Sequence, residues 1–414
     1  MKMPPRHLRF LLPAALAALL AISSTAAAST QPRAAGARGA GAALQPVRPT
    51  AAASAQRSSK STRTVRKRPA LPVNEQRAIA SYVAMQRAYY VPAVQLYLGN
   101  PYAYLWPFTH ALAATIDIAG LPHMHNLYRG DLEARLRGLQ TYWAYGSVPP
   151  IGYLGTAGRY TRTIGVRYFD DNEWVALDLV RLYRENHLAE LLTISEQIFT
   201  LVVNAWDTQK VAACPGGIPF TDVTVNGDRN TTTNAPAAEL AVELYELTGQ
   251  SFYLDWAKSL YGWVRSCMLA SDGAYADHVN GQGKLDPTEW TYNQGSMIGA
   301  GAMLFVATRD RTYLDQSEAT ARVAMAKFSG PTLESQPIPF NAIYLRNLLL
   351  LGTVAHRSTY LAYAKRYGDS IWAHLRDPRS GLFLADGGGR TQLLDSAAMV
   401  QVYAMLSEPL TKLY

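Results

Sequence analysis

Two kinds of helical segment alternate through most of this chain, and that alternation restricts the fold more than any other feature. Apolar residues recur at helical spacing in twelve segments: about 75–90, 106–119, 128–145, 170–185, 188–206, 234–247, 251–269, 294–308, 311–328, 339–354, 358–375 and 393–406. The segments starting near 106, 170, 234, 294, 339 and 393 are apolar on most faces or crowded with small residues. Gln294-Gly295-Ser296-Met297-Ile298-Gly299-Ala300-Gly301 is the clearest; its glycines weaken the helix but permit close helix contact. Those near 128, 188, 251, 311 and 358 carry charges on one side, as surface helices do. A helix that is apolar all round must be buried. Six buried helices alternating with six outer ones describe two concentric rings, an all-α (α/α)6 barrel. No sustained two-residue alternation argues for strands.

A weak repeat supports the helix count. Leu247-Thr248-Gly249-Gln250-Ser251-Phe252-Tyr253-Leu254 resembles Ala307-Thr308-Arg309-Asp310-Arg311-Thr312-Tyr313-Leu314 and His356-Arg357-Ser358-Thr359-Tyr360-Leu361. Each copy closes one helix and opens the next. The spacings of 60 and 47 residues suit helical hairpins with variable loops, and a solenoid as well.

The first 70 residues have a different character. Residues 1–28 combine Lys2, Arg6 and Arg9, an apolar run from Phe10 to Ile22, and Ala26-Ala27-Ala28, the pattern of a secretory signal. That run is too short for a comfortable membrane span, so no stable insertion is expected once the signal is removed. Residues 29–70 are Ala-, Pro- and Ser-rich and basic, with too little apolar surface to offset chain entropy; a disordered linker is expected. The catalytic-domain candidate is 71–414. Without the three basic residues of the signal and the nine of the linker, the formal charge falls from +8 to −4. A nucleic-acid partner thereby loses its main support. Cys214 and Cys267 could pair in an exported protein, buried thiols being the alternative. No Cys or His cluster has metal-ligand spacing, His123-Met124-His125 being read as a loop feature, and no cofactor is expected.

Because alternate helices run antiparallel, all six inner helices start at one end of the barrel. Polar and aromatic motifs stand at five of those starts: Trp106-Pro107-Phe108-Thr109-His110, Phe169-Asp170-Asp171-Asn172, Arg229-Asn230 with Asn234, Trp290-Thr291-Tyr292-Asn293-Gln294, and Phe340-Asn341 with Arg346 beyond. Such convergence describes a binding cleft. Adjacent Asp170 and Asp171 supply the two carboxylates that glycoside hydrolysis uses, one protonating the leaving oxygen and one attacking the anomeric carbon. The competing reading is a capping box formed by Asp170 and Glu173. At the helix start Asp170 would be favoured ionised, and Asp171 beside it pushed toward the protonated form. Arg346, a cation inside an apolar helix, calls for an acidic partner.

Tyr168-Phe169-Asp170-Asp171-Asn172-Glu173-Trp174, Gly216-Gly217-Ile218, Arg229-Asn230 with Asn234, and Trp290-Thr291-Tyr292-Asn293-Gln294-Gly295 follow one another in the order of the motifs of glycoside hydrolase family 76. The chain resembles that family from about 80 to 406. The resemblance implies an (α/α)6 barrel and retaining endo-hydrolysis of α-1,6-linked mannan, with Asp170 as nucleophile and Asp171 as acid/base. Asp277 matches a family position and suits a sugar hydroxyl, an Asx-turn being the alternative. Asn230, Asn234, Tyr292, Asn293 and Gln294 suit hydroxyl recognition by residue type, Asn234 alternatively capping its helix. Trp106 and Trp290 suit stacking on pyranose faces, core packing being the alternative, and Asn172 and Arg346 complete the expected substrate contacts. Pro219-Phe220 stands where the family often has paired Trp, and Phe340-Asn341-Ala342-Ile343-Tyr344 departs from its Phe-x-Gly-Ile-Phe pattern; both bear on chain-length and branch preference. The expected protein is a secreted or envelope-associated monomer acting on α-mannan. A transglycosylase on envelope mannosyl chains and a non-catalytic glycan-binding barrel stand as alternatives.

Overall fold

The computed structural model describes residues 70–407 except 123, 159–164, 209–213, 224–226 and 386–389. The expected signal segment and residues 29–69 of the expected linker lie outside the described residues. Among the described residues twelve helices of three or more turns follow in order. They are α1 Val73–Tyr89, α2 Leu105–Gly120, α3 His125–Leu139, α4 Phe169–Asn186, α5 Ala189–Val203 and α6 Thr231–Thr248. Then come α7 Ser251–Met268, α8 Thr291–Thr308, α9 Arg311–Lys327, α10 Ile338–Val354, α11 Thr359–His374 and α12 Leu393–Met405.

Packing of these helices closes a ring. The even-numbered helices α2 to α12 touch one another in sequence, and α12 returns to α2. Each odd-numbered helix lies outside: α3 on α2, α5 on α4, α7 on α6, α9 on α8, α11 on α10, and α1 across α12. The all-α (α/α)6 barrel expected from the sequence is the fold. Inner helix α8 shows why glycine is needed there. A Cβ at Gly295 would stand 2.6 Å from the Tyr344 Cα of α10, and one at Gly301 2.3 Å from the Ser317 hydroxyl of α9.

The two ends of the barrel differ. Links from an inner to the next outer helix are two residues long at 187–188, 249–250 and 309–310. Each turn passes through a left-handed residue, His187, Gly249 or Arg309, with φ of 56°, 69° and 63°. This tight hairpin is the physical content of the sequence repeat at 247–254 and 307–314. Returning links run across the opposite end and are long, 140–168, 204–230 and 269–290 among them. Two-residue strands stitch them together: Arg229–Asn230 pairs with His278–Val279, which pairs with Leu285–Asp286. Strands this short leave no alternating pattern to read. Two inner helices also start early. Once Asn230 is fixed in a strand, α6 begins at Thr231, and α8 begins at Thr291, each three residues before the sequence expectation.

Cys214 and Cys267 are free, half-buried thiols lying side by side. Burial and the hydrogen bond with Cys214 push the Cys267 thiol up to about 12. The neighbouring Gly216 and Gly217 have φ of 93° and 84° and pack on the rings of Trp206 and Trp263, where any Cβ would collide.

Candidate active site

At the long-loop end, Phe169, Asp170 and Asp171 form the first turn of α4. The Phe169 N–H donates to the Phe220 carbonyl at 3.1 Å, and the Phe220 ring stands edge-on to Tyr168 at 5.3 Å, which fixes where the helix begins. The Asp171 N–H donates to Asp170 Oδ1 at 2.9 Å. A capping box does not form: Tyr168, the residue before the helix, makes no side-chain cap bond, and neither carboxyl oxygen of Glu173 has a partner among the described residues.

Burial dominates the electrostatics of the pair. It raises Asp170 to about 7, against the lowering effect of the backbone N–H groups of Asp171 and Asp170. The helix start therefore acts in the expected direction, but desolvation outweighs it. Burial also pushes Asp171 well up, and the charge of Asp170 adds to the shift. Among the described residues Asp170 alone of the two takes backbone hydrogen bonds, which favours its ionised form. Glu173, fully buried, is driven up by burial, then by Asp170, Glu239 and Asp171.

Other rim residues gather around this pair. Burial, then the charges of Asp277 and Asp170, push the Tyr292 hydroxyl well up, against a lowering effect of Thr232. Asp277 also faces His278 Nδ1 at 2.9 Å and Asn293 Nδ2 at 3.4 Å. Phe340 sits 4.0 Å from the Tyr292 ring, 5.5 Å from Trp290 and 5.9 Å from Trp106, centroid to centroid. These four half-buried rings make an apolar surface suited to the face of a sugar. Asn230 is half-buried, with a buried Oδ1 that has no partner among the described residues.

Three amides expected to recognise sugar hydroxyls have a different task. Asn172, Asn234 and Gln294 are each the fourth residue of an inner helix, and each is 0 % exposed. Asn234 Oδ1 accepts the Ile218 N–H at 2.8 Å, while its Nδ2 donates to the carbonyls of Ile218 at 3.0 Å and Asn230 at 2.9 Å. Asn172 holds Tyr153 and the Tyr168 carbonyl in the same way, and Gln294 holds Tyr275 and the Trp290 carbonyl. A primary amide imitates a peptide group, so each side chain pins a rim loop as a neighbouring strand would. Asn341, fourth in α10, donates to the Leu333 carbonyl at 2.8 Å and accepts from Thr291 Oγ1 at 2.9 Å.

Arg346 is a second correction. Its acidic partner is Asp117, at 2.6 Å, and not a group of the rim. Ninth along α10, it lies well below the helix start, where it and Arg181 grip both oxygens of Asp117. Burial pushes Asp117 up, but the two guanidinium groups more than offset this and hold it below the usual carboxylate range. Thr232 is not singled out by the sequence, Phe340 is read as part of a rim motif but not as a substrate contact, and Glu173 is read only as half of a capping box. Phe340 carried a signal, since its motif lies at a helix start; Thr232 carried none, and Glu173 was masked by its capping-box spacing.

The sequence profile of glycosyl hydrolase family 76 matches residues 93–377. Mannan endo-1,6-α-mannosidase of Candida glabrata is 26 % identical over 151 residues, a match that spans 34 % of this chain and about a third, 33 %, of that relative's length. A family 76 mannosidase structure from Bacteroides thetaiotaomicron superposes with TM-score 0.70 at 21 % identity, covering 81 % of this chain and 98 % of that one. An inactive α-1,6-mannanase variant from Salegentibacter, with two adjacent aspartates replaced by asparagine and bound to α-1,6-mannotriose, gives TM-score 0.67 at 19 % identity, covering 81 % and 99 %. With the family profile matched over most of its length, this (α/α)6 chain belongs to glycosyl hydrolase family 76.

Proposed function

We propose that the protein is a retaining endo-α-1,6-mannosidase that cleaves mannan-type polysaccharide, with Asp170 as nucleophile and Asp171 as acid/base. The observation that carries this reading is the pair itself: two adjacent carboxyl groups on the wide rim, both raised by burial, with only Asp170 held by backbone N–H groups. In the form with one proton on the pair, Asp171 protonates the glycosidic oxygen as Asp170 attacks the anomeric carbon. Asp171 then takes a proton from water, which releases the sugar from Asp170. The aromatic surface around Phe340 supports a sugar chain laid across the rim, and Asp277 and Tyr292 stand where they can meet its hydroxyls, with the fully buried Asn293 bonded to Asp277 from behind. The Salegentibacter mannanase, inactive when two adjacent aspartates are replaced together and bound to α-1,6-mannotriose, supports a catalytic aspartate pair and the substrate class. Residues 1–28 support action outside the cell or in its envelope. Incubation of the purified protein with linear α-1,6-mannan, followed by NMR of the first reducing ends released, tests the reading. Release of α-anomers is expected; no cleavage, or β-anomers first, would refute it.

A further inference from the structure

Below the rim the barrel is hollow. A cavity of 730 Å³ follows the axis from a ceiling of His110, Trp174 and Ile343 to a mouth formed by Gly120, Leu121, Arg184 and Glu185. Along α2 alone, Thr109 to Gly120 spans roughly 17 Å at helical rise. Neither catalytic aspartate lines this space, nor do Asp277, Tyr292 and Phe340. It opens at the short-link end, where α2 and α4 finish. Its size falls within the range of small-molecule sites, roughly 300–1,000 Å³.

The wall is chemically particular. Arg346 and Arg181 are tied to Asp117, and Arg181 reaches Asp178 at 3.5 Å. Asn347 donates to Glu239 at 3.0 Å. Gln401 Nε2 stands 3.1 Å from His110 Nδ1 and 3.1 Å from its carbonyl, which assigns the imidazole hydrogen to Nε2. Burial, then Arg346, lowers His110 to about 3, so the ring is a neutral donor. These polar groups are locked to one another, and Ala113, Ile116, Leu177, Met303 and Leu350 fill the spaces between them.

Each charged or fully apolar occupant meets an obstacle. An anion finds Arg181 and Arg346 already paired with Asp117 and meets Glu185 at the mouth, and a cation faces Arg181, Arg184 and Arg346; Asp178 and Glu239, raised by burial, offer carboxyl groups that both donate and accept. An apolar molecule would displace water from amides, carboxyls and guanidinium groups without replacing its hydrogen bonds. A neutral molecule carrying donors and acceptors around a CH-rich face meets all of these demands, with the half-buried Trp174 ring to receive that face. We propose that the barrel lumen is a second binding site, for a neutral polyol of monosaccharide or disaccharide size, entered from the end opposite the catalytic rim.

The test uses the full chain with labelled Ile and Met methyl groups, titrated with methyl α-mannopyranoside, sodium acetate and benzene in separate NMR series. The sugar is expected to shift the methyls of Ile116, Ile343 and Met303 saturably, the other two compounds to leave them in place. Ala113→Phe, which fills the shaft, should abolish those shifts while mannan cleavage stays within about twofold; Ala119→Phe at the mouth serves the same purpose if the first variant does not fold. Lumen methyls that ignore the sugar, answer only to acetate or benzene, or still respond in a filled variant would overturn the proposal. Mannan cleavage is read separately, so failure of the lumen site leaves the catalytic assignment standing, and the reverse.

Discussion

Replacing Asn234 by Ala separates a loop-pinning amide from a substrate-binding one. The substitution removes three hydrogen bonds, of 2.8, 3.0 and 2.9 Å. Each contributes about 1 kcal/mol net, which gives about 3 kcal/mol. Ile218 is 0 % exposed, so its N–H and C=O would both be left without a partner. Counted instead as two orphaned buried groups at about 1–3 kcal/mol each, the loss is about 2–6 kcal/mol, a large part of a typical folding free energy of about 5–15 kcal/mol. Asn234→Asp should do no better, since it keeps one acceptor and turns a carboxylate oxygen toward two carbonyls. Urea unfolding of the full chain, followed by circular dichroism and tryptophan fluorescence, measures the loss. KM on α-1,6-mannan measured under native conditions gives the contrast. A variant that loses less than about 1 kcal/mol and instead shows a many-fold higher KM would refute the reasoning and return Asn234 to the substrate.

Asp171→Asn should lower turnover on mannan by ~10²–10⁴-fold, yet react with an activated aryl α-mannoside and yield an α-mannosyl azide when azide is added; Asp170→Asn should do neither. With Asp170 raised to about 7, kcat/KM on mannan should climb with pH through about 7, and a limb near the usual carboxylate range would contradict the assignment. The raised groups Asp170, Asp171, Glu173, Asp178 and Glu239 bind protons in the native chain that the unfolded chain has released above about pH 4, so the melting temperature should fall from pH 5 to pH 7. Phe340→Ala should raise KM by about 3- to 10-fold, the equivalent of about 0.5–1.5 kcal/mol for an aromatic contact, with little change in kcat on an activated substrate. Gly299→Ala would place a Cβ 2.2 Å from Asn347 Oδ1 and 2.7 Å from Glu239 Oε1, and chemical unfolding should register a loss of about 1–3 kcal/mol.

The ring of helices was legible because burial on every side leaves a compositional mark: α8 from Asn293 to Leu304 holds no charge, whereas α9 carries five. The rim was legible only in part. Asn234 and Gln294 stand beside catalytic-looking motifs, and an amide near a cleft reads as a hydroxyl binder. Whether it faces sugar or backbone depends on where residues 215–220 and 274–278 run, a long-range matter that no local pattern encodes. Arg346 posed the opposite problem. Its need for an acid was clear, but Asp117 lies 229 residues away, on α2, which α12 separates from α10 in the ring, so the two side chains meet only once the barrel has closed.

That closure carries a temporal consequence. Helix α1 rests on α12, and α12 also completes the inner ring by meeting α2. On a ribosome adding about 5–20 residues per second, the first stave therefore waits roughly 15–60 s for the one that seals it. Throughout that interval the catalytic turn of α4 already exists as sequence, but the low-polarity surroundings that raise its carboxyl groups do not. The nascent chain would hold ordinary, ionised aspartates, and their altered acidity would arrive only as neighbouring helices and rim loops bury them.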